Sequence, residues 1–340
     1  MPPNRNHEPE RSTAKPVVAL CGGIGGAKLA LGLYHVLDPD ALSLILNTGD
    51  DFEHLGLHIS PDIDTLTYTL AGKNNPKTGW GRRDESWTFM KALAELGGET
   101  WFSLGDGDLA IHVERTRRLK AGESLSQITG DFARAFGISA HLLPMTDDPL
   151  RTVVETPEGA ITFQDYFVRR KSKPAVEKIV FEGADKAIPS AAVMDALQLP
   201  DLRAIVICPS NPFLSIDPIL AVAGFRQALI NCSAPVIAVS PIIGGQAVKG
   251  PTSKIMSELS MPSTARAVAD YYGDLLDGFV FDQVDEAEAS REPLPFLVTQ
   301  TLMESLKDRK KLARDILTFA DELNARPAKT GFATQQQRKG

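Results

Sequence analysis

The chain has 340 residues, 43% of them hydrophobic, and a net charge of −7. That is enough for one elaborated domain or a core with a subdomain, and it gives no general attraction to nucleic acid or to an anionic membrane surface. Cys21, Cys208 and Cys232 form no CxxC pair and read as buried, reduced thiols of a cytoplasmic protein, and no apolar stretch is long enough to cross a bilayer.

Residues 1–16, rich in Pro, Glu, Arg and Asn, read as a disordered tail without the apolar stretch of a signal peptide. Residues 17–21 then make an apolar strand that runs into Gly22-Gly23-Ile24-Gly25-Gly26-Ala27-Lys28. This turn opens a helix in which Leu29, Leu33, Val36 and Leu37 share one face. Glycines let backbone N–H groups approach an anion, the helix N-terminus adds a favourable dipole, and Lys28 adds a point charge. A P-loop is disfavoured, because Ala27 precedes Lys28 and Leu29 follows it, leaving no hydroxyl for magnesium. A dinucleotide fingerprint fits poorly as well: the third glycine is missing, and the second strand, 42–46, ends at Asn47 rather than at an acid.

Carboxylates gather after that strand, in Asn47-Thr48-Gly49-Asp50-Asp51, Ser60-Pro61-Asp62-Ile63-Asp64-Thr65 and Leu104-Gly105-Asp106-Gly107-Asp108. Such hard oxygens suit Mg2+ bridging substrate phosphates, although acids at a helix start and Asp-Gly turns have ordinary structural roles too. Ser60 is expected to cap a helix with Pro61 at its first position and Gly72 as its stop. Gly79-Trp80-Gly81-Arg82-Arg83 sets an aromatic amid glycine and charge, where a planar ligand can stack. Ser124 and Gln127 predict a capping box for a helix burying Ile128, Phe132 and Phe136 and ended by Gly137. Residues 140–182 change character into short strands, a small β-rich subdomain.

Strands at 204–208, 236–239 and 278–281 follow. The first leads into Pro209-Ser210-Asn211-Pro212 and the second into Ser240-Pro241-Ile242-Ile243-Gly244-Gly245. Right-handed crossovers between such strands make a doubly wound, Rossmann-like parallel sheet of the α/β class, with ligands at the carboxyl ends of its strands. Residues 17–139 and 183–325 form this core, the former carrying a helical excursion, and 326–340 read as a flexible tail. No Ser-His-acid arrangement is legible, and His54, His58 and His112 lack a zinc pattern.

Taken in order, these motifs, together with Phe163-Gln164-Asp165, resemble the CofD family of 2-phospho-L-lactate transferases over residues 17–285. The resemblance implies a Mg2+-dependent transferase of coenzyme F-420 biosynthesis, a homodimer. Its substrates would be the deazaflavin Fo and a guanylylated phospho-acid (phospholactyl, enolpyruvyl or phosphoglyceryl), with GMP leaving. By position it implies Gly22, Gly23, Gly25, Gly26, Lys28, Ser210 and Asn211 at the guanylyl phosphates, and Gly244, Gly245 and Lys249 on the guanosine side. Asp50 would be a metal ligand, Asp64 a second ligand or the proton acceptor, and Asp51, Asp64, Trp80, Gly81 and Ser103 the Fo side. The chain departs from relatives at Ser103 and Gly107, where they carry basic residues, and at Asp217, where they carry glycine, which leaves the acid unassigned. The rival reading is a regulator of the same superfamily that binds a sugar nucleotide without transferring anything.

Overall fold

Every residue of β1 (Val17–Cys21) is apolar and buried, as expected of a strand covered on both faces. In this computed structural model, which describes residues 15–290 and 293–325, thirteen more strands follow. They are β2 (Leu42–Leu46), the hairpin β3 (Phe52–His54) and β4 (Leu57–Ile59), β5 (His141–Pro144), the trio β6 (Arg151–Thr156), β7 (Gly159–Thr162) and β8 (Lys178–Glu182), β9 (Ala204–Ile207), β10 (Val236–Val239), the hairpin β11 (Ile242–Ile243) and β12 (Gln246–Ala247), β13 (Gly278–Asp282) and β14 (Phe296–Thr299). The helices are α1 (Gly23–Tyr34), α2 (Pro61–Leu70), α3 (Thr88–Glu95), α4 (Asp106–Lys120), α5 (Leu125–Ala135), α6 (Ala191–Leu197), α7 (Asp217–Ala221), α8 (Phe225–Ile230), α9 (Thr252–Glu258), α10 (Ala265–Tyr272), α11 (Glu286–Ala289) and α12 (Leu306–Asn324).

Seven strands form one parallel sheet in the order β14-β13-β10-β9-β1-β2-β5. The chain winds outward one way through β1, β2 and β5, then returns and winds the other way from β9. The order therefore reverses between β1 and β9, and the loops at their carboxyl ends open a crevice there. Period-two alternation divides the core. Val18, Leu20 and Ile45 face one layer, which contains α10, while Val17, Ala19, Leu44 and Leu46 face the layer of α1 and α12. Leu29 and Leu33 of α1 are fully buried in that second layer, each worth roughly 2 kcal/mol of apolar burial. Helices α1 and α12 pack closely because Gly32 has no side chain: a Cβ there would lie 2.3 Å from the Arg309 carbonyl oxygen.

The structure redraws several local expectations. Residues 140–182 are shared between two sheets, since β5 pairs with β2 at the edge of the main sheet and only β6, β7 and β8 make the antiparallel unit. Val36 and Leu37 lie past the end of α1. Ser124 Oγ accepts from the Gln127 N–H at 3.1 Å as expected, but only Ile128 of the three expected core residues of α5 is fully buried. Ser60 sits at the N-cap position of α2 without capping it. Cys21 and Cys208, distant in sequence, bring their sulfurs within 3.3 Å across β1 and β9. The expected tails at 1–14 and 326–340 lie outside the described residues.

Candidate active site

The glycine turn sits at the switch point, and its glycines are required by protein rather than by open space. A Cβ on Gly25 would fall 2.1 Å from the Pro209 carbonyl oxygen, and one on Gly26 would fall 2.6 Å from Ser210 Oγ. On Gly22 it would meet Ser215 Cβ at 2.5 Å and Asp62 Oδ2 at 2.8 Å. Ser210 Oγ donates to the Gly22 carbonyl at 2.8 Å, so this serine pins the turn against the loop after β9. Gly23 donates its N–H to Asp62 Oδ1 at 2.8 Å, which withdraws it from the set expected to face a phosphate. Helix geometry leaves the Ile24 and Gly25 N–H groups without intrahelical acceptors. Asn211 caps the π-helical turn Pro212–Ile216 with Oδ1, and its buried Nδ2 has no acceptor among the described residues. Those three donors are what the switch point offers an anion.

Next to this cradle lie three buried carboxylates. Asn47, directly after β2, donates through Nδ2 to Asp62 Oδ2 at 3.0 Å and accepts the Gly49 N–H at 2.8 Å, folding the Thr48–Asp50 turn back toward α2. Gln164 Nε2 holds the Asp50 carbonyl at 3.1 Å. Asp51 Oδ2 receives the Ser60 hydroxyl at 2.8 Å and lies 3.0 Å from His58 Nε2, which is where the expected helix cap is spent. Burial first, then the charge of Asp62, drives the Asp50 pKa well up; burial raises Asp62 to about 6 against its hydrogen bonds from Asn47 and Gly23. Asp50 Oδ1, Asp51 Oδ1 and Thr48 Oγ1 are buried with no partner among the described residues.

Such a set fits a divalent cation. Asp50 and Asp62 resist ionising together, the unpaired atoms are hard oxygens, and a cation removes both penalties. Among the described residues no three His, Cys, Asp or Glu side chains converge on a metal position by themselves, so ligand phosphates would complete the shell.

Asp64 departs from the expected role. Its two oxygens face Arg115: Nη1 donates to Oδ2 at 3.1 Å and Nη2 donates to Oδ1. Arg115 is 1% exposed and Asp64 5%. Burial acts to lower the Arg115 pKa, but the Asp64 charge and hydrogen bonds outweigh it and raise it. With both oxygens occupied by Arg115, Asp64 is poorly placed to meet a metal or an acceptor hydroxyl, and Asp62, two residues earlier on α2, stands beside Asp50 instead. The pair continues into α4, where His112 Nε2 lies 3.2 Å from Asp108 Oδ2 and Tyr68 donates to Asp108 Oδ1 at 2.5 Å. Asp106 accepts from the Thr88 and Phe89 N–H groups at 3.0 Å each and so serves the start of α3. The Gly105–Asp108 acids thus belong to helix starts rather than to the Asp50 group.

The remaining expected residues lie on separate loops. Trp80 is half exposed, and Gly81 takes the left-handed φ of +70° that its turn requires. Ser103 is exposed, with no side-chain hydrogen bond among the described residues. Gly244 and Gly245 form the β11–β12 turn with φ of +57° and +77°, and the Gly244 N–H is taken by Asp285 at 3.1 Å, so it is not free for a nucleoside. Lys249 reaches back to the Thr78 carbonyl at 3.0 Å, beside Gly79 and Ile24, which joins the expected guanosine side to the Trp80 loop. Lys28 turns from the glycine turn to the Met303 carbonyl at 2.9 Å. Sequence reasoning missed Asn47 and Asp62 as members of the group, although both lie in the motifs it singled out; Arg115, inside the charged run Glu114-Arg115-Thr116-Arg117-Arg118, carries no signal of burial.

The sequence profile of the family described as 2-phospho-L-lactate transferase CofD matches residues 17–317. A phosphoenolpyruvate transferase of Kitasatospora aureofaciens is 40% identical over 317 residues, covering 90% of this chain and 98% of its own. A 2-phospho-L-lactate transferase of Methanococcoides burtonii is 36% identical over 306 residues, covering 89% and 99%. Among solved structures, a UPF0052-family protein of Bacillus halodurans superposes with a TM-score of 0.61 at 15% identity, covering 89% of this chain and 99% of that one, a likeness of fold.

Proposed function

The chain belongs to the CofD family of transferases, and from that premise we propose that it moves a phospho-acid group from a guanosine diphosphate donor to the terminal ribityl hydroxyl of the deazaflavin Fo. The observation that carries this reading is the meeting, at one switch point, of an anion cradle and buried carboxylates with unpaired oxygens. Phosphoryl transfer of this kind asks a protein for positioning and charge neutralisation more than for covalent chemistry. The Ile24 and Gly25 N–H groups and Asn211 Nδ2 hold the donor's phosphates. Asp51, locked by Ser60 and His58 on Oδ2, presents Oδ1 to the acceptor hydroxyl and receives its proton. The hydroxyl oxygen bonds to the phosphorus that carries the acid, the bridging P–O bond breaks, and its electron pair leaves with GMP. Asp50, with Thr48 beside it, would hold Mg2+, whose charge neutralises the donor's phosphates when bound. Half-exposed Trp80 offers a stacking face to the deazaflavin ring.

Similarity to relatives named phosphoenolpyruvate transferase favours the enolpyruvyl group as the acid. The test is mass spectrometry after incubation with Fo, Mg2+ and a mixture of enolpyruvyl, lactyl and glyceryl donors. The reading expects an enolpyruvyl phosphodiester with released GMP, lost on chelation. Donor binding without any Fo binding or product would replace it with a nucleotide-binding regulator.

A further inference from the structure

Three cations lie along α1 without an ion-pair partner among the described residues. Lys28 lies one helical turn beyond Ile24 and is fixed to the Met303 carbonyl at 2.9 Å. Lys249 Nζ is 3.2 Å from where a Gly79 Cβ would stand, a position also 2.9 Å from Ile24 Cγ2, so this amine lies over the same turn of α1. Arg309 begins the second turn of α12, and its backbone lies against Gly32, one turn further along α1 than Lys28. Its Nε is buried with no acceptor, and its guanidinium makes no hydrogen bond or ion pair among the described residues. Asp308, the adjacent acid, is used in the capping box with Ser305. Burial, then the charges of Arg309 and Lys249, lower the Lys28 pKa against the exposed Glu304 carboxylate.

Lys28 and Arg309 are partly buried and Lys249 is exposed beside them, so the like charges and the unsatisfied guanidinium N–H carry a cost that an anion would remove. We propose that Arg309, with Lys28 and Lys249, forms an anion seat that grips the diphosphate of the nucleotide donor. The seat rests on the transferase reading for the identity of its occupant. It adds a planar guanidinium from the C-terminal helix to the backbone donors of the glycine turn. Guanidinium can fork two N–H groups onto phosphate oxygens, which an amine cannot do, and the lysines supply the remaining charge. The fold accounts for the position, because the seat exists only where α12 crosses α1 at Gly32.

The test is calorimetric binding of pyrophosphate, GDP and guanosine to the full chain and to Arg309→Gln and Arg309→Lys. Arg309→Gln should weaken both pyrophosphate and GDP by about tenfold or more, the loss of charged hydrogen bonds, and leave guanosine unchanged. Arg309→Lys should restore part of the affinity for both anions. Pyrophosphate and GDP binding that is the same with and without Arg309 would overturn the seat while leaving the transferase reading intact. Arg309-dependent pyrophosphate binding with no preference for GDP would keep the seat and remove the guanosine donor. Failure of the wild-type chain to bind either anion would overturn both. Should Arg309→Gln fail to fold, Lys28→Gln carries the same comparison with the same expected loss.

Discussion

Removing one partner of the buried Asp64–Arg115 pair separates a structural carboxylate from a catalytic one. Asp64→Asn keeps the shape of the side chain but leaves the Arg115 guanidinium, 1% exposed, without its counter-charge. Its remaining contacts are long: Nη1 lies 3.4 Å from both the His58 carbonyl and His112 Nδ1. An uncompensated buried charge costs about 3–5 kcal/mol, and Asn can still accept one of the lost bonds, so about 3 kcal/mol is expected. Urea unfolding measures it as a fall in midpoint at constant slope. The double variant Asp64→Asn with Arg115→Met should recover part of the loss, giving a coupling of at least about 1 kcal/mol, because the two residues share one interaction. Turnover would fall with folded fraction and not beyond it. An unchanged urea midpoint, with kcat reduced by about a hundredfold and no coupling to Arg115, would refute the reasoning and return Asp64 to the acceptor hydroxyl.

Burial raises the Asp217 pKa to about 7, against a hydrogen bond from Tyr271 and the charge of Arg226. A raised folded-state pKa contributes stability that is complete below the unfolded value near 4 and lost as pH rises through about 7. Asp217→Asn should therefore flatten the pH dependence of the urea midpoint across that window and stabilise the chain at pH 8 by about 2 kcal/mol, after allowing for partial exposure; an unaltered profile would contradict this. Gly25→Ala drives a Cβ to 2.1 Å from a backbone oxygen and should cost about 3 kcal/mol in thermal or chemical unfolding, whereas Gly81→Ala, in open space at φ +70°, should cost about 1 kcal/mol. Equal costs would show that the glycine turn is not held by the Pro209 loop. Trp80→Ala, at a half-exposed position, should leave the unfolding midpoint unchanged and raise the KM for Fo several-fold, and a constant KM would remove Trp80 from the acceptor site.

The sheet was legible because parallel strands buried on both faces are continuous apolar runs: 17–21, 42–46 and 236–239 coincide with the strands observed. The glycine turn was legible as a strand-to-helix device, but not what it accommodates. Glycine read as space for a ligand serves here to admit Pro209, Ser210 and Asp62, neighbours that come from 188 residues away in the case of Gly22 and Ser210. The acid motifs were legible as a group in which Asp50 and Asp64 were paired, whereas the structure sets Asp62 beside Asp50 and Asp64 against Arg115. Asp62 and Asp64 stand two positions apart on one helix, so their side chains point in different directions, and which of them meets Asp50 depends on where α4 delivers Arg115. Ser60 shows the same limit. Its position at a helix start predicts a cap, while its hydroxyl is instead donated to Asp51, which the β3–β4 hairpin brings alongside. The edge strand β5 was not read as a strand at all; it lies inside the 140–182 stretch but pairs with β2, and four residues carry little signal of a partner.

The most direct measurement of the transferase account uses Fo labelled with heavy oxygen at its terminal ribityl hydroxyl, followed by mass spectrometry of both products. Attack by that hydroxyl on the acid-bearing phosphorus predicts the full label in the phosphodiester and none in GMP. Label missing from the diester, or GMP released without any diester, would contradict the account.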